Sequence, residues 1–142
     1  MKKINKMNIA IIGLGNIGSF LFKYLKKNKK ILSKKNNCIP NVIFLSAKNR
    51  NKKRGFKINN KMWLKNYLSA TKSSKVDIIV ELIGGAEGPA KKLVFEALKN
   101  KKHVITANKS LVAKYGDQLA KIAENNKVNF EFEAAVCGGI PI

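Results

Sequence analysis

The run Ile9-Ala10-Ile11-Ile12-Gly13-Leu14-Gly15-Asn16-Ile17-Gly18 limits what this chain can fold into more than any other stretch. Four apolar residues in succession suit a strand buried on both faces of a sheet. They break into G-x-G-x-x-G, and the chain continues into apolar residues at helical spacing. In such a turn the first glycine makes the tight bend and the second lets a pyrophosphate approach the backbone. The third lets helix and strand pack closely. The free amides that open the following helix then face the phosphates. Strand, glycine turn and helix together predict a dinucleotide site built from Gly13, Leu14, Gly15, Asn16, Ile17 and Gly18.

The rest of the chain extends that unit. Ile17, Leu21 and Leu25, with Phe20 and Tyr24, recur at helical spacing until about Lys26. Residues 26–41 are polar and end in Pro40-Asn41, which predicts a long connection before a second strand, Val42 to Ala47. A basic loop, 48–57, and a short amphipathic piece around Met62, Trp63, Tyr67 and Leu68 follow. Val76 to Leu82 is a near-continuous apolar run ending at Gly84-Gly85, as a doubly buried parallel strand requires. A helix is expected from about Pro89, a strand at His103 to Ile105, a helix spanning Leu111 to Ala123, and a last strand from Val128 to Glu133. Strands alternating with helices predict an α/β fold: a Rossmann-type, doubly wound parallel sheet with helices on both faces. At 142 residues the chain amounts to one domain, 1–142, with one core.

Charge is distributed unevenly. The net formal charge is +21, and none of the eight acidic residues precedes Asp77. A basic balance admits a non-enzymatic nucleic-acid-binding module, because lysine and arginine neutralise phosphates and release counterions. Against a specific nucleic acid partner stand the composition and its spacing. Of 29 basic residues only Arg50 and Arg54 are arginine, the chain is also crowded with asparagine, and aromatics do not alternate with the cations as a stacking platform would need. Cys38 and Cys137 form no CxxC pair and no metal-ligand spacing, which suits free thiols in a reducing compartment. The apolar stretch after Met1-Lys2-Lys3 is too short for a secretory signal, and no run approaches membrane-spanning length. A cytoplasmic protein is expected.

The end of the second strand carries the choice of cofactor. An Asp or Glu there would bind the ribose 2'-hydroxyl of NAD. Here Ser46-Ala47-Lys48-Asn49-Arg50 takes that place, with Lys52, Lys53 and Arg54 beyond it. A 2'-phosphate would find charge-assisted partners, so Lys48 and Arg50 favour NADP, with NAD still possible. The alternative is a solvated lysine cluster in a lysine-rich chain.

Three further segments carry a resemblance: Asp77-Ile78-Ile79-Val80-Glu81-Leu82-Ile83-Gly84-Gly85, His103-Val104-Ile105-Thr106-Ala107-Asn108-Lys109, and Glu133-Ala134-Ala135-Val136-Cys137-Gly138-Gly139-Ile140-Pro141-Ile142. With the glycine turn, they resemble homoserine dehydrogenase over nearly the whole chain. Where that family usually has an Arg-Asp pair after the second strand, this chain has Lys48-Asn49. The departure removes an acid and again leans toward NADP, although lysine lacks arginine's bidentate fork.

The resemblance implies NADP-dependent interconversion of L-homoserine and L-aspartate 4-semialdehyde, on the route to threonine, methionine and isoleucine, by a homo-oligomeric parent protein. Another NAD(P)-dependent amino-acid or semialdehyde dehydrogenase would share the glycine turn but not the Thr-Ala-Asn-Lys and Gly-Gly-Ile-Pro segments. Gly84 would pass near the ribose and nicotinamide, and Lys109 would reach the nicotinamide side of the site. The alternative for Lys109 is a helix-start lysine pointing at water. Glu133, Val136, Gly138 and Ile140 match positions that supply oxygens to a monovalent cation, sodium by resemblance. The alternative there is a plain Gly-Gly turn. Cys137 reads as a small buried side chain, and His103 is assigned no catalysis. The family's acid-base lysine and substrate-holding acids lie beyond Ile142, so no catalytic residue is expected in this chain. The substrate-binding and dimerisation region would start at about 134–142. A chain lacking it is expected to bind dinucleotide weakly and not to turn over homoserine.

Overall fold

The computed structural model describes residues 5–135. Five parallel strands, β1 (Asn5–Ile12), β2 (Cys38–Ser46), β3 (Ile78–Glu81), β4 (His103–Thr106) and β5 (Phe130–Glu131), form one sheet in the order β2-β1-β3-β4-β5. The helices are α1 (Asn16–Lys27), α2 (Lys29–Asn36), α3 (Ser69–Lys72), α4 (Pro89–Lys99) and α5 (Lys109–Asn125). From the middle of the sheet the chain first runs outward to β2, then returns past β1 and runs outward the other way through β3, β4 and β5. Right-handed crossovers in opposite directions place their helices on opposite faces.

The two apolar clusters follow that rule. Ile9 and Ile11 of β1 pack with Phe22 of α1, Leu45 and Val80 on one face. Ala10 and Ile12 pack on the other with Ala70 of α3, Leu93 and Val94 of α4, and Leu119 of α5. The four-residue apolar end of β1 is thus buried on both sides, as a central parallel strand must be.

Three differences from the sequence reading have local causes. Residues 29–36, expected as connection, are α2. No apolar period marks this segment, but lysine-rich sequence has good intrinsic helix propensity. The segment continues α1 after a break at Asn28, whose N–H bonds the Tyr24 carbonyl while its own carbonyl accepts from Leu32. Asn37 ends it in a left-handed conformation (φ 50°).

The second strand starts at Cys38 rather than Val42, so Pro40 lies inside it, opposite Met7. Proline is tolerated because β2 is an edge strand. A bulge follows: Ile9 pairs with Val42 but Ala10 with Phe44. Ile43 and Phe44 consequently pack toward the same cluster, and Leu45 returns to the α1 face. At the far edge β5 is only two residues long, shorter than the expected 128–133.

Candidate functional site

Strand order reverses between β1 and β3, and an open α/β sheet binds its ligands in the crevice beyond the carboxyl ends of such strands. Here that crevice is a cavity of about 710 Å³. Its floor is made by the ends of three strands, with Ile12 and Gly13 after β1, Ser46 and Ala47 at β2, and Leu82 and Ile83 after β3. Hydrogen bonds continue the sheet beneath it, from Gly13 N–H to the Ser46 carbonyl (2.8 Å) and from Leu82 N–H to the Ile12 carbonyl (2.8 Å).

The three glycines of the turn are required for three separate reasons. Gly13 has φ +107°, and a Cβ there would lie 2.3 Å from the Leu82 carbonyl oxygen. A Cβ on Gly18 would lie 2.0 Å from the Gly13 carbonyl oxygen, so helix and turn could not close together. A Cβ on Gly15 would meet nothing within 4 Å: the missing side chain leaves open space on the cavity wall. Gly15 is also the N-cap of α1, with no side-chain cap and no acidic residue in the first turn. The leading amides of α1, which begin beside this space, therefore have no partner within the helix, a ready anion site. These features fit a dinucleotide pyrophosphate.

A cationic wall stands opposite. Lys48, Lys52, Arg54 and Lys65 line the cavity, and among the described residues no carboxylate does. Arg54 organises this wall through backbone carbonyls. Its Nε–H donates to Leu14 (3.0 Å), and its terminal nitrogens donate to Arg50 (3.1 Å), Lys52 (2.8 Å) and Asn49. Lys65 and Tyr67 reach the cavity because residues 63–64 run alongside β2. Leu45 bridges Trp63, Leu64 N–H donates to the Leu45 carbonyl (2.9 Å), and the Ser46 hydroxyl donates to the Leu64 carbonyl (3.0 Å).

The residues singled out from sequence are partly brought together. Gly13, Leu14, Gly15 and Lys48 line the cavity. Asn16 borders a smaller basic hollow beside it, with Ser19, Lys23 and Lys53. Ile17 is 63 % exposed on α1, and Gly18 lies beneath Gly13. Arg50 turns away from the cavity, its guanidinium 5.6 Å from the Trp63 ring centre and donating to Asn60 Oδ1. Gly84 (φ +85°) lies one residue beyond Ile83 at the cavity rim. Lys109 is exposed at the first position of α5, directly after the N-cap Asn108, whose Oδ1 accepts from Leu111 N–H (3.1 Å). Glu133 is exposed in a one-turn 3-10 helix, Glu133–Ala135, while Val136, Gly138 and Ile140 lie outside the described residues, as does Cys137. His103 begins β4 and accepts from Asn129 N–H at Nδ1 (3.0 Å).

Two groups around the Gly84-Gly85 loop were not marked by the sequence reading. Glu81 is fully buried at the end of β3 and bonded to the loop and to Thr106. Its signal in sequence was a carboxylate at the far end of an apolar run that also holds Asp77 near its start. Glu87, farther along the loop, accepts from Lys114 (2.6 Å), from Lys91 (3.3 Å) and from the Tyr115 hydroxyl. Its bonds to Lys114 and then to Tyr115 lower its pKa from 4.5 to about 2. Lys91 is raised mainly by Tyr115, and Lys114 mainly by Glu87. This exposed cluster ties the loop to α4 and α5.

Residues 13–133 match the family model described as the homoserine dehydrogenase NAD-binding domain. The chain belongs to that family. A Bacillus subtilis homoserine dehydrogenase is 34 % identical over 136 residues, covering 96 % of this chain and 31 % of that protein. A Staphylococcus aureus homoserine dehydrogenase crystal structure superposes with a TM-score of 0.84 at 36 % identity, over 92 % of this chain and 34 % of that one. A hyperthermophilic archaeal homoserine dehydrogenase solved in complex with NADPH shares the fold at 22 % identity, with a TM-score of 0.73 over 91 % of this chain and 44 % of that one. The chain thus spans about a third of the length of the homoserine dehydrogenases it matches. The described residues contain no helix long and apolar enough to cross a membrane.

Proposed function

We propose that this chain is the cofactor-binding part of an NADP-dependent homoserine dehydrogenase, which interconverts L-homoserine and L-aspartate 4-semialdehyde. One observation carries the NADP reading: a single cavity joins the open backbone of Gly15, the N-cap of α1, to four cations, with no carboxylate among the described residues that line it. NAD recognition would place an acid at the end of β2 to accept from the ribose 2'-hydroxyl. Lys48 stands there instead, and a 2'-phosphate gains a charge-assisted bond from it.

When bound, the nicotinamide supplies or accepts the hydride. The residues of this chain hold the rest of the cofactor in place. Gly13, Gly15 and the first amides of α1 take the pyrophosphate, and Lys48 with Lys52 and Lys65 takes the phosphate at the adenosine end. By family resemblance, the substrate, the proton donor and the contacts between subunits would belong to the part of the family's length that this chain does not span. By family resemblance, Glu133 with Val136, Gly138 and Ile140 would hold a monovalent cation, through oxygen ligands that suit a hard ion.

Fluorescence titration with NADPH and NADH at low and moderate salt tests the reading. NADPH should bind about tenfold more tightly, as one charge-assisted bond supplies. Lys48→Ala should remove most of that preference and leave NADH binding nearly unchanged. Equal affinity for the two cofactors would reduce the Lys48 loop to a solvated cluster, and binding of neither would overturn the cofactor site.

A further inference from the structure

Glu81 has no exposed surface, and the pyrophosphate site makes no use of it. Its neighbours define an unusual junction. Oε1 accepts two consecutive backbone N–H groups, from Ile83 (2.7 Å) and Gly84 (3.2 Å), and Oε2 is bonded to Thr106 Oγ1. Thr106 Oγ1 also accepts from Asn108 N–H (3.0 Å). A hydroxyl has one hydrogen, so the Thr106 hydroxyl donates to Glu81 while its oxygen receives Asn108. Both carboxylate oxygens therefore act as acceptors, and every link of the chain has a fixed direction.

At one end of this junction is the rim of the cavity. Among the described residues all peptides are trans, so the N–H of Gly84 and the carbonyl of Ile83 point in opposite directions within their shared peptide plane. Drawing that N–H down to Glu81 turns the Ile83 carbonyl outward, at a residue that lines the cavity. At the other end, Asn108 donates from Nδ2 to the Gly85 carbonyl (2.7 Å) and caps α5 with Oδ1, immediately before Lys109. One buried carboxylate thereby joins the Gly84-Gly85 loop to the start of the helix that carries Lys109.

We infer that Glu81, acting through Thr106, is a positioning residue for the nicotinamide half of the cofactor. It turns the Ile83 carbonyl toward the carboxamide donor of the nicotinamide and sets the distance between that rim and Lys109. It makes no contact with the adenosine half, which lies toward β2. The inference rests on the dinucleotide reading proposed above.

Glu81→Gln keeps shape and volume but removes one acceptor. With its oxygen on the two loop amides, its NH₂ faces a Thr106 oxygen that already accepts Asn108, and the Thr106 hydrogen is stranded. The test titrates the full 142-residue chain and its Glu81→Gln, Thr106→Val and Thr106→Ser variants with two ligands. One is NADPH and the other is 2'-phospho-ADP-ribose, which lacks the nicotinamide. Glu81→Gln and Thr106→Val should weaken NADPH about tenfold and leave 2'-phospho-ADP-ribose within about twofold of the parent. Thr106→Ser keeps the hydroxyl and should restore NADPH binding. If Glu81→Gln does not fold, the two Thr106 variants carry the test. Equal losses for both ligands, as general destabilisation would produce, or no loss for either, would overturn the inference while leaving the cofactor site intact. A parent chain that binds neither ligand overturns the dinucleotide reading and this inference with it.

Discussion

Arg54 Nε–H donates to the carbonyl oxygen of Leu14 at 3.0 Å, joining the basic loop to the glycine turn across forty positions of sequence. The same guanidinium holds the loop's own carbonyls at Asn49, Arg50 and Lys52. Arg54 thus shapes the cationic wall more than it contributes its charge to it. Arg54→Lys keeps the charge but loses the planar fork, so it should behave almost like Arg54→Ala. Both should weaken NADPH about tenfold in a fluorescence titration and narrow its advantage over NADH. Full rescue by lysine would show that charge alone matters there.

The glycine turn should separate stability from binding. Gly15→Ala places its methyl in open space, at a backbone conformation any residue adopts (φ −74°). Thermal unfolding should shift by only about 0.5 kcal/mol, the small cost of alanine at an N-cap, while NADPH binding is lost. Gly13→Ala meets a carbonyl oxygen at 2.3 Å with φ +107° and should cost about 3 kcal/mol or more. A Gly15→Ala chain that binds NADPH normally would place the pyrophosphate elsewhere.

Asn108 makes two bonds of different kinds, and two variants tell them apart. Asn108→Asp keeps an acceptor for Leu111 N–H but loses the donor to the Gly85 carbonyl, whereas Asn108→Ala loses both. Alanine should destabilise by about 1 to 2 kcal/mol in denaturant unfolding. Aspartate should recover the capping part only.

The Glu87 cluster makes stability depend on pH in acid. Its folded pKa of about 2 lies below the unbonded 4.5, so the folded state holds the ionised form more strongly. That contribution is fully present above about pH 4.5 and is lost as pH falls toward 2. Thermal unfolding of the parent and of Glu87→Gln should differ at pH 6, and the gap should close through that window. Because these groups are solvated, added salt should shrink the gap at every pH. A gap that persists unchanged at pH 2 would mean that the charge of Glu87 is not what holds the loop.

Much of this architecture was legible in the residues because it depends on local pattern. The four-residue apolar run at Ile9–Ile12 suited a central strand, and the glycine spacing placed a turn and a helix after it. α2 was hidden because its sequence has no apolar face, and its helicity rests on propensity and on continuation from α1. The first half of β2 was hidden because Pro40 usually ends a strand, and only the position of β2 at the sheet edge removes that penalty. The bulge at Ile43 left no mark in a continuous apolar run.

The sequence by itself determined the parallel α/β sheet, the glycine turn between its first strand and helix, and the absence of a carboxylate after the second strand. Each follows from side-chain character at fixed short spacing. Only the tertiary structure decided which cations face the crevice. Arg50 stacks on Trp63 and leaves it, Lys65 is carried in by pairing beside β2, and Arg54 turns inward to bond backbone. It also decided that Glu81 is a buried junction, since its partner Thr106 is 25 residues away and meets it only through the pairing of β3 with β4. Periodicity reports which face a residue takes within its own element. Which distant residue shares that face is set by strand order and crossovers, and no local pattern encodes them.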